Sequence, residues 1–364
     1  MSDNNNNIPE TLTEEVLAEE DLNKKKGSKG IIGMILRWLL PLALTVLMVW
    51  YMFRKVHFGE MMDIIRHGVD YWWILCTMGL SMFSHIARAL RWRLQLKSLG
   101  IRPPVLALCC SIFGCYALNL VFPRLGEVWR CTYIARRQDA PFTKVLGSMV
   151  ADRLSDAVCV CFLTILTFIV AAPAIDSFLT KYPVGQGILS TVQSPLFWIV
   201  IVGCCVGVWA LFYFGCNNTA IAKLRKWIID TWKGFAIITK MEGKWAFLLY
   251  SITIWACYFL QLYVAFFAFP FTRDLCTEAD LGYGLVPALV AFILSSFGMA
   301  IPSNGGLGPW NLAVMFGLAI YGISQPDGTA FSMLVWSGQT VMLIMLGIFT
   351  MAYIAIDKKS DKYK

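Results

Sequence analysis

The chain has 364 residues, of which 58% are hydrophobic and only 15% are charged. A soluble domain typically carries about 25% charged residues, whereas several apolar runs here approach or exceed the roughly 20 residues with which a helix crosses a bilayer. These values exclude a soluble enzyme, a secreted disulfide scaffold and a disordered chain, and they indicate an all-α polytopic membrane protein. The net charge of +8 does not indicate nucleic-acid binding, because the positive residues lie in short loops between apolar runs.

The twelve cysteines lie mostly within apolar runs, where cysteine packs as a small hydrophobic residue. They form no CxxC motif and no Cys/His cluster. The sequence therefore predicts no disulfide framework, no metal site and no cofactor.

The N-terminal residues 1–30 are polar, acidic first and basic later, and we expect them to form a cytoplasmic tail. The apolar run 31–53 that follows is longer than the hydrophobic part of a signal peptide, and no small-residue cleavage site comes after it. We expect this run to remain as the first membrane span.

Hydropathy defines eight long apolar segments and one that is too short to span. The long segments are about 31–53, 71–96, 105–122, 146–172, 195–215, 245–270, 283–301 and 329–356, and the short one is 310–323. Basic residues lie both before the third long segment, at 91–102, and after it, at 136–144. Because Lys and Arg mark cytoplasmic loops, both ends of this region belong on the cytoplasmic side.

The simplest topology with both ends inside is a re-entrant hairpin, in which 105–119 enters the membrane, the chain breaks at VFPRLGE, and 126–137 returns. The same reasoning gives a second hairpin from 283–301 and 310–323, broken at AIPSNGGLGPW. The prediction is therefore about six full spans and two re-entrant hairpins, with both termini in the cytoplasm. The C-terminal tail is predicted at 358–364.

The two predicted hairpins lie in corresponding halves of the chain, repeat A at 71–172 and repeat B at 245–356. Pro123 and Pro302 hold matching positions, each with a glycine three residues later. Paired, Gly/Pro-interrupted segments of this kind are typical of inverted-repeat transporters, so an inverted repeat is predicted. Residues 219–240 have apolar positions near the helical period with basic residues between them, which favours an interfacial helix that links the repeats.

Several charges lie at membrane depth, where each must be paired or functional. On the second span, Arg88 is deep enough to be a candidate, whereas we expect Arg91 and Arg93 to reach the inner interface. Further along, Asp152 and Asp156 lie one helical turn apart with Arg153 beside them. These carboxylates are interpreted either as members of a structural ion-pair network or as functional groups.

The first break contains Arg124, Glu127 and Arg130 at three-residue spacing, directly after Pro123. A helix that begins after this proline would offer free N–H groups and its dipole to an anion, and Arg124 would add a phosphate donor. Asn119 could cap that helix or contact the ligand. The deep charges then sum to four arginines (88, 124, 130 and 153) against three carboxylates, which suits one bound phosphate group.

The second break carries no charge, but its glycines permit close backbone approach. It either supplies N–H groups and polar side chains to the same ligand or serves as a turn. The substrate-binding residues predicted from the sequence are Arg88, Asn119, Arg124, Gly126, Glu127, Arg130, Asp152, Arg153, Asp156, Ser303, Asn304, Gly305, Gly306 and Asn311.

Three segments, NxxxPRxGExxR at 119–130, DRLSD at 152–156 and PSNGGLGPW at 302–310, together resemble the lysylphosphatidylglycerol synthase transmembrane region, a flippase-like domain. The resemblance covers the chain from about residue 31. Asp152 stands where the family often has Glu, and Asn311 lies near a position that is often acidic. Full-length synthases continue into a soluble aminoacyltransferase domain, whereas this sequence ends shortly after its last predicted span. The resemblance therefore implies lipid handling and translocation rather than lipid synthesis.

The leading hypothesis is a transporter in the cytoplasmic membrane that moves an anionic lipid, either a phospholipid or a polyprenyl phosphate, between leaflets. One alternative is a membrane-embedded enzyme acting on a lipid phosphate, with Asp152, Asp156 or Glu127 as acid or base. Another is an accessory subunit of a cell-envelope lipid pathway. The expected partners are the lipid substrate, the surrounding membrane lipids, and either a second copy of the chain or an envelope-synthesis protein.

Overall fold

The computed structural model describes residues 68–174 and 243–362, together with isolated residues between 46 and 66 and between 176 and 206. The predicted tail at 1–30, most of the first span and the linker helix at 219–240 lie outside the described residues. Within the described ranges the protein is entirely helical, with connecting turns and loops and no β-strand.

Nine α-helices and one 3₁₀ turn make up the two main described ranges. They are α1 (Tyr71–Ser98), α2 (Val105–Val121), α3 (Leu125–Arg137), α4 (Phe142–Val170), α5 (Lys244–Phe266), α6 (Pro270–Leu275), the 3₁₀ turn (Ala279–Leu281), α7 (Leu285–Gly298), α8 (Pro309–Ala319) and α9 (Gln325–Lys362). These bounds follow the predicted segments to within a few residues. The backbone of α9 continues through the first part of the predicted C-terminal tail.

Five apolar helical stretches in the described ranges are long enough to cross a membrane: Tyr71–Ser98, Phe142–Val170, Lys244–Phe266, Ala279–Gly298 and Gln325–Asp357. The apolar helices Val105–Val121 and Pro309–Ala319 are shorter. The prediction of an all-α polytopic membrane protein is therefore confirmed. The number of spans and the re-entrant course of the hairpins stay predictions.

Local sequence explains where several helices begin and end. The Asp70 side chain accepts a hydrogen bond from the Trp72 N–H at 3.2 Å, which caps the start of α1. The chain leaves α2 at Phe122 in an extended conformation, and α3 begins after Arg124, whose φ of 63° is left-handed. In α8, Pro309 occupies the first turn, where its missing N–H costs no helical hydrogen bond.

Helix contacts repeat between the two halves of the chain. In the first half α1 packs on α2, α2 on α3 and α3 on α4, and in the second half α5 packs on α7, α7 on α8 and α8 on α9. Contacts between the halves also correspond: α2 packs on α9 as α7 packs on α4, and α1 packs directly on α5. The two halves thus share one order of helix contacts, and the inverted repeat stays a prediction.

The arms of each broken segment approach closely through glycine. A Cβ on Gly126 of α3 would overlap the Cys115 carbonyl of α2, and a Cβ on Gly317 of α8 would lie 2.7 Å from the Ala291 Cα of α7. Only glycine allows these backbones to come so close. The two breaks also meet each other, since Gly305 N–H donates to the Asn119 carbonyl.

Candidate functional site

Two arginines of α1 and two aspartates of α4 form a buried ion-pair lattice. Arg88 Nη1 lies 2.7 Å from Asp156 Oδ2 and 3.5 Å from Asp152 Oδ2. Arg91 Nη2 lies 2.7 Å from Asp152 Oδ1 and 2.7 Å from Asp156 Oδ1. Each guanidinium therefore bridges both carboxylates, and the exposed fraction of all four residues is at most 8%.

Helix α5 supplies neutral hydroxyl groups to the same arginines. Arg88 donates to the Tyr258 hydroxyl from Nε at 3.2 Å and from Nη2 at 3.1 Å, and Arg91 Nη1 donates to Ser251 Oγ at 3.2 Å. Ser251 and Tyr258 lie seven residues apart, two turns along one face of α5. The donors of both guanidinium groups are thereby almost fully used, which is the condition under which buried charges are tolerated.

The position of Arg91 corrects the sequence prediction. It was expected to extend to the inner interface, but its side chain is fully buried and paired with both aspartates. The reason is that α4 and α5 cover the face of α1 on which Arg91 lies. The position of a residue along one helix does not reveal which other helices pack against it. Arg91 therefore replaces Arg124 among the four deep arginines, and the balance against Glu127, Asp152 and Asp156 remains four to three.

Arg130, on α3, approaches this lattice without joining it. Its Nη2 lies 3.9 Å from Asp152 Oδ2, and its guanidinium stacks 4.7 Å from the centre of the Trp92 ring. The residue is fully buried, yet Nε, Nη1 and Nη2 have no hydrogen-bond acceptor among the described residues. Its charge is met among the described residues only by the 3.9 Å approach to Asp152 and by the Trp92 ring.

Glu127 and Arg153 form the accessible part of the cluster. Arg153 Nε lies 3.2 Å from Glu127 Oε1, although its N–H is not aligned for a hydrogen bond, and Arg153 Nη1 lies 3.7 Å from Asp156 Oδ2. The exposed side-chain fractions are 34% for Arg153 and 26% for Glu127. Arg153 is therefore loosely held and reachable, unlike the arginines of α1.

Arg124 lies apart from the ion-pair lattice. Its exposed guanidinium donates from Nη2 to the Ala300 carbonyl oxygen at 2.9 Å, just past the end of α7. The predicted anion cradle at the start of α3 is also occupied by protein groups: Leu125 N–H donates to the Phe122 carbonyl at 3.3 Å and Gly126 N–H to Asn119 Oδ1 at 2.9 Å. In this arrangement Asn119 caps α3 and Arg124 bridges to the end of α7. The phosphate site predicted at this helix start stays a prediction.

The second break bonds to the first. Gly305 N–H donates to the Asn119 carbonyl at 2.9 Å, and Asn304 Nδ2 donates to the Val121 carbonyl at 3.0 Å. Both acceptors belong to the last turn of α2, whose carbonyls have no partner within the helix. Arg124 in turn donates to the Ala300 carbonyl just past the end of α7. Each break therefore provides hydrogen-bond donors to backbone carbonyls beside the other. We call this set of contacts the tip junction.

The remaining residues of the second break have local roles. Asn311 Oδ1 accepts from Gly308 N–H at 3.1 Å and its Nδ2 donates to the Ser332 carbonyl at 3.0 Å, which ties α8 to α9. Ser303 contacts the Ile301 carbonyl at 3.5 Å. A Cβ on Gly306 would meet the Met299 sulfur. The structure therefore gives these residues turn and packing contacts, and their predicted contact with a ligand stays a prediction.

Sequence reasoning missed Ser251, Tyr258 and Trp336. The Trp336 indole N–H donates to the Gly305 carbonyl at 2.9 Å and so extends the tip junction to α9. The two α5 residues carry a detectable signal, since they are hydroxyl groups seven residues apart in an apolar helix. Among the described residues, no group of three or more His, Cys, Asp or Glu side chains is arranged to hold a metal ion.

The geometry separates a buried scaffold from an accessible pair. Arg88, Arg91, Asp152 and Asp156 are buried and paired with one another, whereas Arg153 and Glu127 are partly exposed and loosely paired. A planar guanidinium in this condition can form two parallel hydrogen bonds to a phosphate. The arrangement is chemically suited to binding an anionic group at the edge of a charged core.

The sequence profile of the family described as "Lysylphosphatidylglycerol synthase TM region" matches residues 38–347. No curated protein and no solved structure gave a significant match. The profile spans all the described helices that carry the charge cluster and the tip junction. The chain therefore belongs to the lysylphosphatidylglycerol synthase transmembrane-region family, which indicates a membrane protein of lipid metabolism or translocation.

Proposed function

We propose that this protein moves an anionic lipid, either a phospholipid or a polyprenyl phosphate, between the leaflets of the cytoplasmic membrane. The observation that carries the proposal is the Arg153–Glu127 pair, a third and a quarter exposed beside a buried lattice of ion pairs. A charge at the centre of a membrane helix costs about 2.5–3.5 kcal/mol on insertion scales. Such residues mark substrate pathways when they face the interior of a helix bundle.

In this proposal Arg153 binds the phosphate of the headgroup. A third of its side chain is exposed, and its contact with Glu127 is not an aligned hydrogen bond, so a phosphate oxygen can approach the exposed part of the side chain and replace Glu127 as its partner. Arginine is favoured over lysine for this role because its fork of donors fits a phosphate group in two places. Glu127 holds the guanidinium in position while the site is empty.

The buried ion-pair lattice lies next to this site. Asp156 contacts Arg153 at 3.7 Å while it is held by Arg88 and Arg91 at 2.7 Å. The lattice thus places a paired carboxylate beside Arg153. Because Arg88 and Arg91 already have acceptors, the anion is directed to Arg153 rather than to them.

Transport is favoured over catalysis by the state of the carboxylates. A general base needs a free oxygen within reach of the proton that it removes, and the oxygens of Asp152 and Asp156 face arginines. Glu127 has the weakest contacts with arginine of the three carboxylates in the cluster. An enzyme acting on a lipid phosphate would therefore depend on Glu127, and its product would be chemically different from its substrate.

The proposed topology is six spans and two re-entrant hairpins with both termini in the cytoplasm. The matching helix contacts of the two halves support an inverted repeat. The mutual hydrogen bonds at the tip junction support the hairpins, because non-helical backbone is tolerated at membrane depth only where protein or a water-filled cavity covers it.

Reconstitution tests the proposal. The purified protein is placed in vesicles with a labelled phospholipid or polyprenyl phosphate, leaflet exchange is followed, and the recovered lipids are analysed by mass spectrometry. The proposal expects faster exchange of at least one anionic lipid than in protein-free vesicles, with its mass unchanged. Exchange at the protein-free rate for all of them, or a changed mass, would contradict it.

A further inference from the structure

The two oxygens of Asp152 are held very differently. Oδ1 accepts from Arg91 Nε at 2.9 Å and lies 2.7 Å from Arg91 Nη2. Oδ2 lies between two cations and is held closely by neither, at 3.5 Å from Arg88 Nη1 and 3.9 Å from Arg130 Nη2. Charge-assisted hydrogen bonds between nitrogen and oxygen normally measure about 2.7–2.9 Å, so Oδ2 can still form a full bond with one of the two.

Arg130 has a reason to take that bond. It is fully buried, and none of its three nitrogens donates a hydrogen bond to a described residue. The stack on Trp92 provides cation–π attraction, but it leaves the N–H groups unused. Burying unused charged donors is costly, and a movement of about 1 Å toward Asp152 would reduce that cost by giving Nη2 an acceptor.

Arg88 can give up the bond at little loss. It also holds Asp156 at 2.7 Å and donates twice to the Tyr258 hydroxyl. Exchange of Oδ2 from Arg88 to Arg130 therefore leaves both arginines with acceptors. In the described arrangement Arg88 has hydrogen-bond acceptors and Arg130 has none.

The helix that carries Arg130 also reaches the tip junction. Arg124 is the N-cap of α3 and bonds the Ala300 carbonyl, and Glu127 on the same helix pairs with Arg153. Arg124 has a left-handed φ of 63°, a strained conformation for a residue with a side chain. A rigid shift of α3 would change the contacts of Arg124, Glu127 and Arg130 together.

We propose that α3 has a second position, in which Arg130 replaces Arg88 on Asp152 Oδ2 and the Arg124–Ala300 contact of the tip junction opens. Arg130 is then a positioning residue for the switch and does not contact the lipid. This inference rests on the proposed function, because it supplies the conformational change that moves the Arg153–Glu127 pair during transport. In the alternative, Arg130 is only a packed residue of the core. Its substitution would then have no effect on the tip junction.

Hydrogen–deuterium exchange of the full-length protein in detergent tests the switch without relying on transport. Movement of α3 away from α2 frees the Gly126 N–H, which donates to Asn119 Oδ1 in the described state. Arg130→Met removes the group that stabilises the second position. Exchange at 119–126 and 300–308 should therefore slow relative to wild type, with no change in α5. Arg93→Met, an exposed arginine of α1, is the matched control and should leave exchange unchanged.

The thermal unfolding temperature is a second test of the switch. Because Arg130 is unsatisfied in the described state, Arg130→Met should unfold at the same temperature as wild type or higher. Arg88→Met should unfold at a lower temperature, because it leaves Asp156 short of a partner. If Arg130→Met cannot be recovered folded, Arg130→Gln carries the same exchange test with the same expected slowing.

Unchanged or faster exchange at the tips in Arg130→Met, or a loss of stability as large as that of Arg88→Met, would overturn the switch. Failure of the proposed function gives a different result: slowed exchange in Arg130→Met together with no lipid movement by wild-type protein. That result would support the movement of α3 and reject its role in lipid transport.

Discussion

Arg91 on α1 holds Asp152 on α4 by two nitrogens on one oxygen, Nε at 2.9 Å and Nη2 at 2.7 Å, and both side chains are fully buried. The same two helices are joined by Arg88 and Asp156 at 2.7 Å. Breaking one member of a buried pair leaves an uncompensated charge, which typically costs about 3–5 kcal/mol. The lattice is therefore expected to control the stability of the helix bundle.

Asp156→Asn should lower the free energy of unfolding by about 3–5 kcal/mol, measured as a lower thermal unfolding temperature in detergent. Arg88 then loses its short contact, whereas Arg91 keeps Asp152 Oδ1. Adding Arg88→Met should consequently restore part of the loss, and adding Arg91→Met should restore less. The exposed Asp280→Asn is the control. Equal stability of Asp156→Asn and Asp280→Asn would show that the lattice does not stabilise the fold.

Tyr258→Phe should destabilise the protein because Arg88 Nε and Nη2 both donate to this hydroxyl. A buried donor left without a partner costs about 1–3 kcal/mol. The matched variant is Tyr250→Phe on the same helix, whose hydroxyl makes no hydrogen bond within the described part of the chain. Thermal unfolding of the two variants should differ clearly, and indistinguishable curves would remove α5 from the network.

Gly126→Ala should be strongly destabilising, since the new methyl group would overlap the Cys115 carbonyl and lie 2.8 Å from Asn119 Oδ1. Gly147→Ala in α4 meets nothing within 4 Å and should be neutral or stabilising by about 0.5–1 kcal/mol. The pair is compared by yield of folded protein and unfolding temperature. A well-folded Gly126→Ala protein would show that α2 and α3 do not approach as described.

Much of this architecture could be predicted because its signals are local. Pro123, Pro309 and the glycines beside them end or begin helices wherever the rest of the chain lies, so the predicted bounds of α2, α3 and α8 agree closely with the structure. Asp152 and Asp156 were correctly expected to need arginines. The depth of a charge in the membrane is also partly readable from its distance to a helix end.

The side-chain contacts between helices that are distant in sequence could not be predicted in the same way. Arg91 was wrongly assigned to the interface because burial by α4 and α5 depends on helix packing rather than on position along α1. The bonds from Gly305 and Asn304 to α2 join residues more than 180 positions apart, and a single sequence holds no local signal for such pairs. The bond from Arg124 to the Ala300 carbonyl is a contact of the same long-range kind.

Topology can be measured by labelling single introduced cysteines with a membrane-impermeant reagent, scored above the parent chain. Pro103→Cys and Ala140→Cys flank α2 and α3, and a re-entrant hairpin requires that both label from the cytoplasmic side. Ser98→Cys and Glu278→Cys lie on opposite sides of the membrane in the same topology and should label from opposite sides. Labelling of 103 and 140 from opposite sides would reject the first hairpin and the inverted repeat.

The most direct measurement of the central claim is leaflet exchange of an anionic lipid in vesicles that contain equal amounts of folded wild-type, Arg153→Gln or Arg93→Gln protein. Arg153 is the loosely paired, partly exposed guanidinium of the cluster, and Arg93 is an exposed arginine outside it. The account predicts that Arg153→Gln reduces exchange to the protein-free rate while Arg93→Gln exchanges lipid like wild type. Wild-type exchange by a folded Arg153→Gln protein would contradict the assignment of the headgroup to this cluster.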